Sequence, residues 1–375
     1  MRVVVAPDKF KGSLSAPRVA HSIALGLLSI DPSATVDLVP VADGGEGTLD
    51  AAIGSGFEQR TVVVAGPTGA PLEAAFGVRG REAVIEMASA SGLGVLPGGR
   101  RDALRATSRG TGDLIVAALD AGCTRIVLGV GGSANTDGGA GLVSALGVRL
   151  LDSDGAELPD GGSALIDLAR IDPSGIDQRL AAAEFILASD VDNPLLGANG
   201  AAAVFAPQKG ATPADVAVLE NALTRFATLL GETLGEVAVR SITAPGSGAA
   251  GGVGFAALAV LGAARRPGVE VVLEFTGFAE KLVGADLVVT GEGSLDEQSL
   301  GGKTPIGVAN AAALAGVPVV AVCGRTTLGA AELAGAGFSR TYALTDYEPD
   351  VALCMTNAGA LLEHIGTVIG TGLRR

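Results

Sequence analysis

The chain has 375 residues, 48% hydrophobic and 18% charged, with a net charge of −14 at pH 7. That length is a prior for two domains, three at most, and the composition is that of a globular protein with ample core. The acidic balance argues against nucleic acid or anionic membranes as partners, and a site for an anionic substrate has to be locally positive.

Val3–Ala6 reads as a first strand, then a loop Pro7-Asp-Lys-Phe-Lys-Gly-Ser13, then a helix over about 16–29 with Ser15 as N-cap. Thr35–Val41 reads as a second strand ending in the glycine loop Asp43-Gly-Gly-Glu-Gly-Thr48, with a helix after it. This repeated strand, loop and helix predicts the start of a doubly wound sheet. Next come three segments, 60–65, 72–78 and 81–87, that read as antiparallel strands around the turn Pro67-Thr-Gly-Ala70. A helix over 111–121 leads to Arg125–Val130, an apolar run expected to be a buried parallel strand. Phe185–Ala188 reads as a strand, 213–231 as an amphipathic helix, and Pro245–Gly254 as a glycine loop before an alanine-rich helix. Strands near 285–290, 317–322 and 340–344 alternate with helices, the last over about 349–370. Two parallel strands at the start and three at the end make one five-stranded sheet. The expected fold class is therefore α/β in two domains. One is a flavodoxin-like parallel sheet built from both chain ends, residues 1–62 and 281–375. The other is an inserted α/β domain with a mixed sheet, residues 63–280. The active site is expected in the cleft between them.

The three cysteines show no metal-ligand spacing, and both histidines, His21 and His364, sit among apolar neighbours in expected helices. His-based catalysis, zinc chemistry and a Ser-His-Asp triad are thereby set aside. The first residues form a strand with no signal-peptide layout, and no apolar run reaches the ~20 residues of a membrane span, so a cytoplasmic protein is expected.

The chemistry concentrates in loops. The stretch Gly129-Val-Gly-Gly-Ser-Ala-Asn-Thr-Asp-Gly-Gly-Ala-Gly141 lies between an expected strand and an expected helix. Glycines let backbone N–H groups turn toward an anion, and a helix start adds partial positive charge. Gly131, Gly132, Ser133, Asn135, Gly138 and Gly139 are the candidate phosphate-binding residues. The competing reading is a tight turn with Asp137 as an N-cap. The stretch is not a Walker A loop, which places Lys-Ser/Thr directly after its last glycine. Of five lysines, four fall in Gly/Pro loops: Lys9, Lys11, Lys209 and Lys303. That placement suits mobile point charges for phosphate or carboxylate. Acids also end strands: Asp8, Asp43 with Glu46, Asp190 with Asp192, and Glu292 with Asp296. Each alone reads equally as a cap or turn former. Jointly, acids and lysines at strand ends suit Mg-nucleotide phosphoryl transfer.

Ala6-Pro-Asp-Lys-Phe-Lys-Gly-Ser-Leu-Ser15, Ala42-Asp-Gly-Gly-Glu-Gly-Thr48, Gly131-Gly-Ser-Ala-Asn-Thr-Asp-Gly-Gly139, Asp190-Val-Asp-Asn-Pro-Leu195, Ala206-Pro-Gln-Lys-Gly-Ala211 and Thr290-Gly-Glu-Gly-Ser-Leu-Asp-Glu-Gln298 with Gly301-Gly-Lys-Thr304 together resemble the bacterial glycerate kinase type 1 family. The resemblance covers essentially the whole chain in order. It implies ATP-dependent phosphorylation of D-glycerate, with 2-phosphoglycerate the first choice of product, and the two-domain form described above. The chain departs from the family where Ser-Ala-Asn-Thr-Asp replaces the frequent Ser-Ala-Thr-Asn-Asp, and at Ser294 and Arg109, where the family often has Arg and Tyr.

Residue chemistry on these motifs gives the expected roles. Asp190 is the first choice of base for the hydroxyl proton, with Asp8 and Asp43 as alternatives and an Asx-turn as the competing reading of Asp190. The glycine loop, Lys303 and Lys209 hold nucleotide. Lys9, Lys11, Asn193 and Arg325 meet the substrate, with Lys11 also counted as catalytic. Asp137, Glu292 and Asp296 hold Mg²⁺. The rival function is a non-catalytic nucleotide- or organic-acid-binding regulator on the same fold. A dehydrogenase is set aside because no Gly-x-Gly-x-x-Gly follows the first strand. Composition leaves the oligomeric state open, a homo-oligomer included.

Overall fold

The computed structural model describes residues 1–374. In chain order its strands are β1 (Arg2–Pro7), β2 (Thr35–Leu38), β3 (Glu58–Ala65), β4 (Pro71–Arg79), β5 (Glu82–Glu86), β6 (Arg125–Gly129) and β7 (Arg149–Leu151). They continue as β8 (Arg170–Asp172), β9 (Glu184–Ala188), β10 (Ala264–Arg266), β11 (Leu287–Leu295), β12 (Val319–Thr326) and β13 (Phe338–Ala343). The chain divides into two compact units.

The first unit comprises Met1–Asp43, Asp50–Gly56 and the chain from Gly268 onward. Its sheet has the order β13-β12-β11-β1-β2, and every pairing is parallel. β1 is a run of valines buried on both faces, as a central parallel strand with helices above and below requires. The order is the flavodoxin-like one, so the chain leaves β1 to one side and β11 to the other. The strand pair β1/β11 is the topological switch point, where open α/β sheets bind ligands beyond the carboxyl ends of their strands.

β11 and β12 run further than the sequence reading places them. Gly291-Glu-Gly-Ser294, expected as a loop, is strand, and its register continues through Glu292↔Cys323 and Ser294↔Arg325. A side chain at Gly291 would lie 1.7 Å from the Val322 carbonyl oxygen, so this glycine marks a close approach of two strands rather than a turn. The single last helix expected over 349–370 is two helices, Val351–Thr356 and Ala358–Leu373. The first is capped by Asp350, whose side chain accepts from the Ala352 and Leu353 N–H groups.

The second unit comprises Gly44–Leu49 and Phe57–Pro267. Its main sheet has the order β10-β9-β6-β5-β4-β3; β3, β4 and β5 pair antiparallel, and β5, β6, β9 and β10 parallel. β7 and β8 form a separate antiparallel pair. Apolar side chains including Leu114, Ile115, Ile126, Leu223, Phe226 and Phe255 fill the core, the two phenylalanine rings meeting edge to face at 6.0 Å. The long helix Pro213–Leu234 starts with a capping box between Thr212 and Asp215. The division falls at Phe57 and Pro267, whereas the sequence reading places it at 63 and 280. Gly44–Leu49 also groups with the second unit, because Glu86 and the end of β6 hold it there.

All three cysteines are buried and free, and both histidines lie on the surface. No helix among the described residues is long and apolar enough to cross a membrane.

Candidate active site

In the first unit, acids and cations gather at the carboxyl ends of the switch-point strands. Asp8 follows β1 and is 7% exposed. One of its oxygens accepts from Thr304 Oγ1 at 2.7 Å, the other from the Lys9 N–H at 2.6 Å, with Lys9 Nζ at 3.9 Å. Burial, helped by the Asp43 charge and opposed by Lys9 and Thr304, pushes the Asp8 carboxyl up to about 6. Glu292, on β11, is pushed up to about 7, again chiefly by burial; the charges of Asp8 and Asp296 add to it, while Ser299 and Lys303 oppose it. Its Oε1 is buried with no hydrogen-bond partner. Asp296 caps the short helix Glu297–Leu300, one oxygen accepting from the Gln298 and Ser299 N–H groups. Lys303 is half-buried at the start of the helix Thr304–Leu314, Lys11 is exposed in the turn after β1, and Arg325 is exposed on β12 opposite Ser294.

In the second unit the glycine loop leaves the end of β6. Its first half is the tip: Gly131 is half-buried, Gly132 exposed, and Ser133 6% exposed. The N–H groups of Gly131, Gly132 and Ser133 make none of the loop's backbone hydrogen bonds. A side chain at Gly131 would lie 2.4 Å from the Gly45 Cα, and one at Gly129 would lie 2.5 Å from the Gly44 carbonyl oxygen. Two glycine loops therefore abut with no room for side chains. Glu86, at the end of β5, fixes the second of them: its Oε2 accepts from the Gly47 and Leu49 N–H groups at 3.0 and 3.1 Å.

The other half of the loop is interior. Asn135, Thr136 and Asp137 are 0% exposed. The Asp137 carboxylate accepts from the Ser108 N–H and Oγ, Asn135 Nδ2, and the Gly139 and Gly141 N–H groups, all between 2.7 and 3.2 Å. Gly138 lies against Phe226 and Leu223, and Gly139 against Ala256. A second strained segment braces this half. Ala250, Gly251 and Gly252 all have left-handed backbone, and Ala250 is the one non-glycine with positive φ among the described residues. Asn135 Nδ2 donates to the Ala250 carbonyl at 3.1 Å, and the Gly138 N–H to the Gly251 carbonyl at 2.9 Å. Beneath the tip lies Lys209, 1% exposed, whose Nζ donates to Ser133 Oγ at 2.8 Å and to the Asn135 carbonyl. Burial pushes this lysine down to about 7, against the charge of Asp137.

The chain matches the glycerate kinase family model over residues 3–373. It belongs to the glycerate kinase family. It is 50% identical to a glycerate kinase of Bacillus subtilis (strain 168) over 330 residues, 86% of this chain and 85% of that protein. It is 47% identical to the glycerate 2-kinase of Escherichia coli (strain K12), over 87% of this chain and 86% of that one. Among solved structures it matches a protein provisionally named glycerate kinase 2 from Salmonella typhimurium LT2. That match has a TM-score of 0.86 and 43% identity and covers 100% of this chain and 98% of the other.

A member of the glycerate kinase family is an enzyme that uses a nucleotide and a small-molecule substrate. Against that requirement the expected residues separate. Asp8, Lys9, Asp43, Glu292, Asp296 and Lys303 share one electrostatic neighbourhood in the first unit. Gly131, Gly132 and Ser133 present a loop tip in the second. Asp137, expected to hold Mg²⁺, accepts from five donors, two on Ser108 and three within the loop, while the N-cap position of the following helix is Gly139. Asn135, Gly138 and Gly139, expected at the phosphates, shape the loop from within. Lys209, expected as a mobile cation, is buried. Asn193 donates from its side chain to the Asn199 carbonyl and so shapes its own loop. Asp190 is exposed, two residues beyond β9, and its neighbour Asp192 pairs with Arg265 at 2.6 Å. Two residues escaped the sequence reading. Thr304 stands in the quoted Gly-Gly-Lys-Thr motif, where attention went to the lysine. Glu86 ends an apolar strand, and nothing in its spacing marks it.

Mg²⁺ is commonly held by one or two carboxylates together with phosphate oxygens. Glu292 fits that role: one buried oxygen lacks a partner, and the neighbouring acids leave room for a positive charge. Among the described residues no three His, Cys, Asp or Glu converge on one point.

Proposed function

We propose that this enzyme transfers the γ-phosphoryl group of ATP to the 2-hydroxyl of D-glycerate, giving ADP and 2-phosphoglycerate. The observation that carries the reading is the pair of raised carboxyls, Asp8 and Glu292, at the switch point of a parallel sheet, on a chain 47% identical to a glycerate 2-kinase.

The N–H groups at Gly131–Ser133 and the Ser133 hydroxyl receive nucleotide phosphate oxygens. Lys303 adds a charge for the transferring group, and Lys9, Lys11 and Arg325 are the cations for the glycerate carboxylate. Glu292, with the free oxygen of Asp296, would hold Mg²⁺, which neutralises charge on the phosphates when bound. Asp8 accepts the hydroxyl proton as the O–P bond forms. A base works best with a pKa near the operating pH, and burial has moved Asp8 toward it. Asp190, exposed beyond β9, and Asp43 follow as alternatives.

The test is ADP release from MgATP that depends on added D-glycerate, with the product's phosphorylated carbon identified by NMR. Nucleotide binding without glycerate-dependent turnover would favour the regulator reading.

A further inference from the structure

Lys209 is the least expected member of the second constellation. It ends the short turn Pro207–Lys209, and its side chain runs inward to the underside of the glycine loop. An ammonium in a sealed position gives up its hydration, which disfavours the charged form. A methionine of similar volume would fill the same space without that cost. The charge therefore has to do something that packing does not.

Its hydrogen bonds suggest what. A lysine ammonium has three donors and no acceptor. While Lys209 is protonated, the contact of 2.8 Å between Nζ and Ser133 Oγ therefore has one polarity: Lys209 donates and Ser133 accepts. The Ser133 hydrogen must point away from Nζ, and among the described residues that hydroxyl makes no other hydrogen bond. The second contact, to the Asn135 carbonyl, ties the far side of Ala134 to the same ammonium. Ser133 is thus left as an oriented donor at the loop tip, next to the N–H groups of Gly131, Gly132 and Ser133 that the loop itself does not use. Withdrawal of electron density by the ammonium also makes that hydroxyl a better donor.

We propose that Lys209 is a positioning residue of the nucleotide loop, which never touches nucleotide but holds the Ser133 hydroxyl as a preset donor to a phosphate oxygen. The proposal rests on the assignment of this loop to ATP, and the test separates the two.

Binding of a non-hydrolysable ATP analogue and of D-glycerate is titrated for wild type, Lys209→Met, Ser133→Ala and the double variant, with thermal midpoints alongside. Each single variant should weaken analogue binding roughly tenfold, the weight of one charge-assisted hydrogen bond. The double variant should weaken it no further, because Lys209 acts through Ser133. Lys209→Met should melt at or above the wild-type temperature. A double variant weakened about a hundredfold, the product of the singles, would overturn the proposal, as would unchanged affinity in folded Lys209→Met. Should Lys209→Met not fold, Ser133→Ala decides alone: unchanged affinity for both ligands overturns the proposal. If the same non-additive loss appears for D-glycerate and not for the analogue, the positioning role stands and the loop's assignment to ATP falls.

Discussion

Thr304 Oγ1 donates to Asp8 Oδ2 at 2.7 Å across 296 positions of sequence. The bond joins the start of the helix Thr304–Leu314 to the residue just beyond β1, and Thr304 is 0% exposed. A hydrogen bond to the charged form of a carboxyl lowers its pKa, so Thr304 keeps Asp8 from rising further. With Asp8 as base, the rate should fall as pH drops through about 6, where the carboxylate takes up a proton. Thr304→Val removes the donor and keeps the shape. The acid limb of kcat/KM should move to higher pH in this variant, and a pH–rate profile reads the shift directly.

Asp8→Asn separates catalysis from stability. Turnover should fall about 10²-fold or more, in the range of general-base loss, with ATP binding retained. Stability should move the other way. The folded pKa lies above the unfolded value of 3.8, so the native state binds more protons between 3.8 and about 6 and loses stability as pH rises through that window. Above about 6 the asparagine variant should resist urea better than wild type, and below about 4 the difference should vanish. Near-normal turnover in Asp8→Asn, with an inactive Asp190→Asn, would return the base to Asp190.

Lys209 gives a second pH signature, of the same origin and opposite sense. Its folded pKa of about 7 lies below the ordinary 10.5, so between those values the unfolded chain binds more protons. Wild-type stability should gain a rising contribution from pH 7 to about 10. Urea denaturation at several pH values should show that rise in wild type and its loss in Lys209→Met.

Asp137→Asn tests the interior half of the glycine loop. The amide cannot accept five donors, and its NH₂ faces N–H groups. We expect destabilisation of about 2–4 kcal/mol, from lost charge-assisted bonds and donors left unsatisfied. The loss should be the same with and without Mg²⁺. A variant that melts like wild type yet needs more Mg²⁺ for activity would restore Asp137 as a metal ligand.

Gly132→Val tests the tip. Gly132 is exposed with φ of +72°, and the nearest atom to a new Cβ would be that of Ala88 at 3.3 Å. Left-handed backbone costs a β-branched residue about 1–2 kcal/mol, which the domain should survive. The loop's N–H groups would lose their alignment, so KM for ATP should rise at least tenfold while the thermal midpoint drops only slightly.

The sequence by itself determined the class of sheet and the family. Runs such as Val3-Val-Val-Ala6 are apolar at every position, which suits a strand buried on both faces, and Leu72–Val78 reads as a strand beside a turn. Period and composition are local properties, and they survive without coordinates. The sequence also marked the loops that bear chemistry, because glycine, lysine and aspartate clusters are local too. What each of those residues does was decided only by the tertiary structure. Asp137 and Asp8 both follow strands and look alike in sequence. Asp137 lies among five hydrogen-bond donors contributed by Ser108, Asn135, Gly139 and Gly141, whereas Asp8 has Thr304 and Lys9 and a neighbouring acid. Lys209 and Lys11 stand in equally glycine-rich loops, yet one ammonium is sealed beneath Ser133 and the other is in solvent. Burial and partners depend on segments brought together by folding, 29 positions apart for Ser108 and Asp137, 76 for Ser133 and Lys209 and 296 for Asp8 and Thr304, and these set both the charge state of a side chain and whether it has a lone pair or a proton left for a ligand.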